Sequence, residues 1–369
     1  MIADRASHVA LALAPGIGPA RFATLIEAFG SADGALSAPF EFLCRLPGFS
    51  RAGATTVRTV KREEGEKALA AAEAMGAGCL LFGEDAYPAA LATIPDPPMV
   101  LFVSGDPGLL AQPAVAIVGS RDHTGYGAEV ARTIAAAAAG AGVVVVSGMA
   151  RGLDAVAHTA ALDRGGSTIG VLGNGLGVIY PAANRALYER VAREGLLLSE
   201  FPPGERPRHG SFPRRNRLIS GLAAATLVVE AAPGSGALIT AEAALEQGRE
   251  VLAVPGPITS ATSTGTNRLI RDGATPLLEA EDLLSLYPTT ARRPAAPAPP
   301  AETEPLPLLP PAEAALFAQL DERARHIDDL VQSARRPVAE VLGILCSLEV
   351  AGLVVQEPGG RFRRRVSGK

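Results

Sequence analysis

The sequence predicts an α/β protein with a Rossmann-like, doubly wound parallel sheet, preceded by a helical module and followed by a winged-helix-like module. Three observations predict this fold class. Short apolar runs, continuous rather than alternating and rich in β-branched residues, recur between residues 77 and 287, as in strands covered on both faces. Helical patterns separate most of these runs, which is the order of a sheet with crossover helices. Shifts in composition near residues 75 and 291 mark the flanking modules.

The central domain, residues 76–290, carries the strand and helix signals. The predicted strands cover residues 114–119, 143–148, 167–173, 196–200, 225–231 and 250–256. The predicted helices between them cover residues 128–139, 155–163, 183–193 and 240–247.

Residues 1–75 contain short helical segments that are interrupted by two tight turns, at residues 15–18 and 47–50. This pattern is typical of helix-hairpin-helix or SAM-like modules, whose turns place backbone N–H groups at a helix N-terminus and can hold DNA phosphates. A plain helical bundle that serves packing or protein contacts explains the pattern equally well, and only Arg21 and Arg51 lie close to the turns.

Residues 291–311 are rich in proline and predict an extended linker. The remaining segment, 312–369, reads as three helices and a hairpin that turns at Gly359-Gly360, which is the winged-helix pattern. Its partner, DNA or protein, is left open by the sequence.

Composition restricts the class of protein. No run of 18 apolar residues occurs, so no membrane span is expected, and the N-terminus lacks the basic start and long apolar run of a secretory signal. Cys44, Cys79 and Cys346 form no ligand-like spacing and favour a reducing, cytoplasmic compartment.

Charge is distributed unevenly along the chain. The formal net charge of −4 argues against a generally basic nucleic-acid binder. All but three of the 34 basic residues are arginine, however, and they cluster at residues 206–217 and 361–369. Local arginine clusters in an acidic chain predict focused anion sites.

The loop after the first core strand, Gly119-Ser120-Arg121, suits a phosphate because glycine admits it to the backbone and arginine can clamp it. The glycine spacing is not that of a dinucleotide fingerprint, no acidic residue closes the next strand, and no Walker A pattern occurs. No cofactor is therefore expected.

Other loops at the same edge of the sheet add cations, an aromatic ring and further glycines. Guanidinium groups for phosphates and a ring for stacking bases are the parts of a single-stranded nucleic-acid groove. The candidate binding residues are Gly119, Ser120, Arg121, Gly148, Arg151, Phe212, Arg214, Arg215, Asn216, Arg217, Ser235 and Gly236.

Signs of catalysis are weak. Asp154 and His158 are four residues apart but have no third metal ligand in view, so a capping carboxylate and a packed histidine are the preferred interpretation. Ser120, Ser147 and Ser235 lack a partnering base, so no nucleophile is predicted. Neither catalytic nor metal-binding residues are expected.

Six ordered motifs between about residues 80 and 285 resemble the DNA-processing protein A (DprA, or Smf) family. They are GSRDHTGYG, SGMARGLDAVAHTAAL, VLGNGLGVIYPAANRAL, SEFPPGERPRHGSFPRRNRLISGL, VVEAAPGSGALITAEAALEQGREVLAVPG and GTNRLIRDGA. The resemblance implies a non-enzymatic protein that binds and shields single-stranded DNA during natural transformation, helps load the RecA recombinase, and forms a homodimer through the Rossmann-like core.

The resemblance also implies roles for particular residues. It places Arg121 and the segment Arg215-Asn216-Arg217 in the DNA pocket, and it implies backbone or hydroxyl contacts for Gly119, Ser120, Gly148, Ser235 and Gly236. Family members often use lysines around this groove, whereas this core domain has arginines in their place.

The alternative is an enzyme, a nucleoside-monophosphate phosphoribohydrolase of the lysine decarboxylase-like group. Such enzymes are similar to this chain at the GSR loop and at a PGG-x-GT-x-x-E stretch. The segment 233–242 departs from that stretch at its second glycine and its threonine, and Glu242 is displaced from the expected catalytic position.

Overall fold

The computed structural model describes residues 4–208, 210–287, 309–321, 325–357 and 359–364. The chain divides into two compact units, residues 1–298 and 299–369, and each unit is described by itself. Most of the predicted linker, up to residue 308, lies outside the described residues.

The first unit begins with six helices, and residues that cap helices in general mark the ends of some of them. Asp4 caps α1 by accepting the N–H groups of Ala6 and Ser7, and Gly30, with a φ of 76°, ends α2. The helices are α1 (Arg5–Ala12), α2 (Pro19–Phe29), α3 (Ala32–Ser37), α4 (Phe40–Leu43), α5 (Arg51–Thr59) and α6 (Arg62–Ala74).

This helical module has an apolar core of its own but also packs on the sheet. Buried leucines of the module, including Leu11 and Leu25, form one cluster. A second cluster joins Val9 and Ala72 to sheet residues such as Phe102. The module and the sheet therefore belong to one compact unit.

The sheet contains nine strands within the described residues, in the order β1-β2-β6-β5-β4-β3-β7-β8-β9. The strands are β1 (Gly78–Leu81), β2 (Val100–Gly105), β3 (Ala114–Val118), β4 (Val144–Ser147), β5 (Thr168–Val171), β6 (Leu196–Ser199), β7 (Ala225–Val228), β8 (Glu250–Ala253) and β9 (Thr275–Pro276). Strands β3 to β9 are all parallel to their neighbours among themselves, whereas β2 pairs antiparallel with β6 and β1 pairs antiparallel with β2. The six predicted strands are confirmed as β3 to β8, and β1, β2 and β9 were not predicted.

Helices cover both faces of the sheet. They are α7 (Ala89–Ala92), α8 (Gly125–Gly140), α9 (Leu153–Asp163), α10 (Arg185–Glu194), α11 (Ser211–Gly221), α12 (Gly236–Glu246), α13 (Thr264–Arg271) and α14 (Ala280–Leu284). Side chains of α8 and α9 pack on one face, and those of α11 and α12 pack on the other. The doubly wound architecture is confirmed.

The chain leaves β3 towards β4 on one side and later enters β7 on the other side. The carboxyl ends of β3 and β7 therefore flank the topological switch point, where open sheets of this type bind ligands.

The second unit has the winged-helix order. It contains α15 (Pro311–Phe317), β10 (Arg325–His326), α16 (Ile327–Ala334), α17 (Val338–Val350), β11 (Val354–Glu357) and β12 (Arg361–Arg364), with sheet order β10-β12-β11. Gly359 and Gly360 both have positive φ, 83° and 68°, which the tight hairpin turn requires. Helix α17, the third helix of the unit, which corresponds to the recognition helix of winged-helix modules, holds no lysine, arginine or histidine, whereas β12 holds three arginines.

Candidate nucleic-acid interface

A cleft of about 750 Å³ opens at the carboxyl ends of β3 and β7, and we call it the main cleft. Loops that follow the strands and the N-terminal ends of α11 and α12 form its walls. Eight of the twelve predicted binding residues line it: Gly119, Ser120, Arg121, Phe212, Arg215, Asn216, Ser235 and Gly236.

Arg121 and Phe212 form the rim of the main cleft. The Arg121 side chain is exposed, and its guanidinium carbon lies 5.9 Å from the centre of the Phe212 ring. The Tyr180 ring lies 5.4 Å from the Phe212 ring at an interplanar angle of 34°. An exposed cation beside two aromatic rings can hold a phosphate and stack a base.

The loop that carries Arg121 is held by short contacts. The Ser120 hydroxyl donates to the Asp122 carbonyl at 2.8 Å. Gly152, with a φ of 82°, lies so close behind the loop that a Cβ atom there would approach the Ser120 carbonyl oxygen to 2.5 Å. These contacts hold the loop backbone in place, and with it the point from which the Arg121 side chain extends.

Arg215 lies in the cleft wall but is buried, at 4% exposure. Its Nη1 donates to the carbonyl oxygens of Gly148 and Val171, at the ends of β4 and β5. A Cβ atom at Gly148 would lie 2.6 Å from that nitrogen, so a larger residue there would displace the guanidinium. Burial and the positive charge of Arg121 lower the pKa of Arg215 to about 10, although the negative charge of Asp154 acts to raise it. Arg215 thus ties two strand ends together.

Arg214 and Arg217 point away from the main cleft. Both pair with Glu200, whose side chain is 2% exposed: Arg217 Nη2 lies 2.5 Å from its Oε2, and Arg214 Nε lies 2.8 Å from its Oε1. Arg217 Nε also lies 3.1 Å from Asp96 Oδ2. These groups line a second cleft of about 550 Å³ between the sheet and the helical module, the module cleft.

The other predicted residues lie beside the main cleft or in its wall. Gly148 and Arg151 line a side cleft of about 270 Å³, which shares Arg121, Phe212 and Arg215 with the main cleft. Asn216 Nδ2 donates to the Gly236 carbonyl at 3.0 Å, and the Ser235 hydroxyl caps α12 by accepting the Ala237 N–H. The Asn216–Gly236 bond holds α11 against α12, and the Ser235 cap fixes the start of α12.

Two lining residues and one supporting residue were missed from the sequence. Tyr180 is 47% exposed and lines both the main and side clefts. Arg208 lines both the main and module clefts. Asn184 donates to the carbonyl oxygens of Met149 and Ala150 and so holds the loop after β4, where Met149 has a φ of 58°. For Tyr180, the available signal in the sequence was its position shortly after the loop that follows β5.

Asp154 and His158 are structural in this arrangement. The Asp154 carboxylate accepts the Gly148 and Ala150 N–H groups, and burial raises its pKa. His158 is fully buried with Nδ1 2.6 Å from the Thr168 hydroxyl, and burial lowers its pKa to about 3. Among the described residues no cluster of three possible metal ligands occurs.

The first turn of the helical module, residues 15–18, lines the module cleft. Arg21 donates from Nη1 to the Gly16 carbonyl at 2.7 Å and from Nε to the Gly48 carbonyl at 3.0 Å. It therefore joins the two predicted turns. The anion-binding role of these turns stays a prediction.

Together, a parallel sheet, a cleft at its switch point and an exposed arginine beside an aromatic ring define a Rossmann-like protein with a candidate ligand cleft. The family model for DNA recombination-mediator protein A matches residues 78–288, and that for the DprA winged helix domain matches residues 294–360. The chain belongs to the DNA-processing protein A (DprA/Smf) family, as its motifs predicted.

Individual relatives agree with this assignment. Protein Smf of Escherichia coli K12 is 42% identical over 286 residues, which cover 76% of this chain and 75% of the relative. The crystal structure of DNA-processing protein A from Streptococcus pneumoniae superposes with a TM-score of 0.67 at 33% identity, covering 77% of this chain and 98% of that chain. A structure of the Helicobacter pylori protein that describes its single-stranded DNA binding mode matches with a TM-score of 0.52 at 33% identity, covering 57% of this chain and 94% of that chain.

Two further findings concern the class of protein. No helix among the described residues is long and apolar enough to cross a membrane. Glu242, the candidate acid of the phosphoribohydrolase alternative, is exposed on α12 and does not line the main cleft.

Proposed function

We propose that this protein binds single-stranded DNA in the main cleft. The observation that carries the proposal is the exposed Arg121 guanidinium, 5.9 Å from the Phe212 ring at the mouth of a 750 Å³ cleft. The single-stranded DNA binding mode described for the Helicobacter pylori relative supports it. Arg121 holds a phosphate, Phe212 and Tyr180 offer stacking surfaces for bases, and the loop glycines let the strand approach the backbone.

The other arginines of the predicted site support the cleft in this proposal. Arg215 ties the ends of β4 and β5 together from below the surface. Arg217 and Arg214 neutralise the buried Glu200 carboxylate. Each cation in such a pair is already engaged, so its contribution to phosphate binding is smaller than that of Arg121.

We extend the proposal to what the family assignment implies for the cell. The protein shields single-stranded DNA and helps load the RecA recombinase in natural transformation or recombination. It acts in the cytoplasm as a homodimer through the Rossmann-like domain, without catalysis. The exposed position of Glu242 outside the cleft speaks against the phosphoribohydrolase alternative.

A salt titration of binding to a fluorescent single-stranded oligomer, with duplex as competitor, tests the proposal. Tight binding that prefers the single strand and weakens with salt supports it, because phosphate contacts release counterions. Absence of binding at low salt refutes it, and release of the base from nucleoside monophosphates by the same preparation would establish the enzymatic alternative.

A further inference from the structure

Helix α17 of the second unit carries apolar residues on all its sides. Its 13 residues include two charged ones, Glu340 and Glu349, and no basic one. One face of the helix is buried in the core of the unit through Val341, Ile344, Leu345 and Leu348. A helix that is apolar all round is normally covered all round, so the opposite face of α17 is expected to meet another surface.

That opposite face, the α17 stripe, is exposed in the single chain. The stripe consists of Val338, Leu342, Cys346 and Val350, whose spacing of four residues keeps them on one side of the helix. Leu342 is 45% exposed, and Val350 is 86% exposed. A Cβ atom at Gly343, beside the stripe, would have no packing neighbour within 4 Å. An exposed apolar stripe along a whole helix marks a surface for contact with another molecule.

Nucleic acid does not suit the α17 stripe. The helix at this position of a winged-helix module reads base edges in the major groove, which needs cations or hydrogen-bonding side chains. The stripe offers only the Cys346 thiol, a weak donor. The exposed carboxylates of Glu340 and Glu349 lie on the same helix and would repel phosphates. The stripe therefore fits an apolar protein surface.

The charges at the two ends of α17 match the same helix of a second copy in antiparallel orientation. Arg335, just before the helix, is exposed and makes no ion pair in the part of the chain that the structure describes, whereas Arg336 pairs with Glu340 of its own helix. Glu349 is exposed at the other end. An antiparallel pair brings Arg335 of each copy towards Glu349 of the other, and a parallel pair would bring like charges together. Antiparallel packing also opposes the two helix dipoles favourably.

We propose that the α17 stripe is a self-association surface, on which α17 of a second copy of this chain packs antiparallel. The midpoint of the stripe lies between Leu342 and Cys346, so Leu342 of each copy packs against Cys346 of the other. A helix rise of about 1.5 Å per residue and an interaxial distance of about 8 Å place the two Cys346 Cα atoms about 10 Å apart. This contact is additional to the homodimer proposed for the Rossmann-like domain and is independent of the DNA site.

Chemical cross-linking of the full chain through Cys346 tests the proposal. A short bismaleimide should join two copies of the wild-type protein and should fail with Cys346→Ser, because Cys44 and Cys79 are half-buried. Leu342→Asp places a carboxylate in the stripe and should lower the yield at least about tenfold, since an unpaired charge is costly in an apolar contact. Val350→Asp, at a position 86% exposed, should act alike and leaves the core of the unit intact.

A cysteine outside the stripe is the matched control. Gln332→Cys in the Cys346→Ser background carries an exposed thiol on α16 and should not cross-link, even where the Rossmann-like domains hold two copies together. Absence of cross-linking in the wild type would overturn the proposal. Equal cross-linking through position 332, or an unchanged yield in folded Leu342→Asp and Val350→Asp, would do the same.

Charge exchange tests the antiparallel orientation. Glu349→Arg should weaken cross-linking through Cys346, because it faces Arg335 of the second copy with a like charge. Arg335→Glu, added to Glu349→Arg, should restore the yield because it recreates opposite charges across the contact. A double variant that cross-links no better than Glu349→Arg would refute the antiparallel pairing.

Discussion

The exposed arginine at the mouth of the main cleft gives the sharpest test of the DNA site. Arg121 has no ion-pair partner among the described residues, so its replacement by alanine removes the proposed phosphate contact and its packing on the Phe212 ring, and breaks no ion pair. A charge-assisted hydrogen bond contributes about 1.5–3 kcal/mol, and exposure to solvent reduces this to about 1–2 kcal/mol. We therefore expect Arg121→Ala to raise the Kd for a single-stranded oligomer about 5- to 30-fold.

The salt dependence gives a second, independent measure of the same contact. Loss of one phosphate contact should lower the slope of log K against log salt by about 0.7 for a single strand. Fluorescence anisotropy at several salt concentrations measures both quantities, and thermal unfolding should stay unchanged because the residue is exposed. Arg132→Ala is the matched control, since Arg132 is an exposed arginine of α8 outside the clefts. Unchanged Kd and slope in Arg121→Ala would refute the assignment of this rim as the phosphate contact.

Three further predictions concern the supporting residues. Arg215→Ala should lower the free energy of unfolding by about 3–5 kcal/mol, because it leaves two strand-end carbonyls without a donor and the buried Asp154 carboxylate without its opposing charge; a urea midpoint equal to the wild-type value would contradict this. Arg217→Ala should cost about 2 kcal/mol, since buried Glu200 keeps only its second arginine, yet should change the salt slope less than Arg121→Ala does; an equal change in slope would return Arg217 to the phosphate contacts. The folded pKa of His158, about 3, lies below its unfolded value of 6.5, so the unfolded chain takes up the proton first. Stability should therefore fall by about 1.4 kcal/mol per pH unit as the pH decreases below 6.5 towards 3, and equal pH profiles for the wild type and His158→Gln would exclude this cause.

Several features of the fold were readable from the sequence because they depend on local composition. The runs at 114–119 and 143–148 are apolar at every position, and a strand covered on both faces needs that pattern. The carboxyl ends of parallel strands meet at one edge, so the convergence of the loops after β3, β4 and β7 also followed. The added strands β1 and β2 did not follow, because β2 pairs with β6, about 100 residues further along the chain, and β1 joins the sheet only through β2.

The arginine cluster shows where the sequence interpretation was incomplete. Side chains three or four positions apart share a face of a helix, whereas neighbours differ by about 100°. On α11, Arg214 and Arg217 therefore face Glu200 and the module cleft, while Phe212, Arg215 and Asn216 face the main cleft. Helical spacing was the signal that could have divided this cluster in advance.

The sequence by itself determined the fold class, the family and the edge of the sheet at which the candidate site lies, because strand composition, chain order and motifs are local properties. Only the tertiary structure decided which charges are available to a ligand. Arg121 is exposed, Arg215 is buried against strand ends, and Glu230 reaches α8 from a strand more than 100 residues away. Burial and pairing of a charge depend on which distant segments surround it, and those neighbours are fixed only when the sheet is assembled.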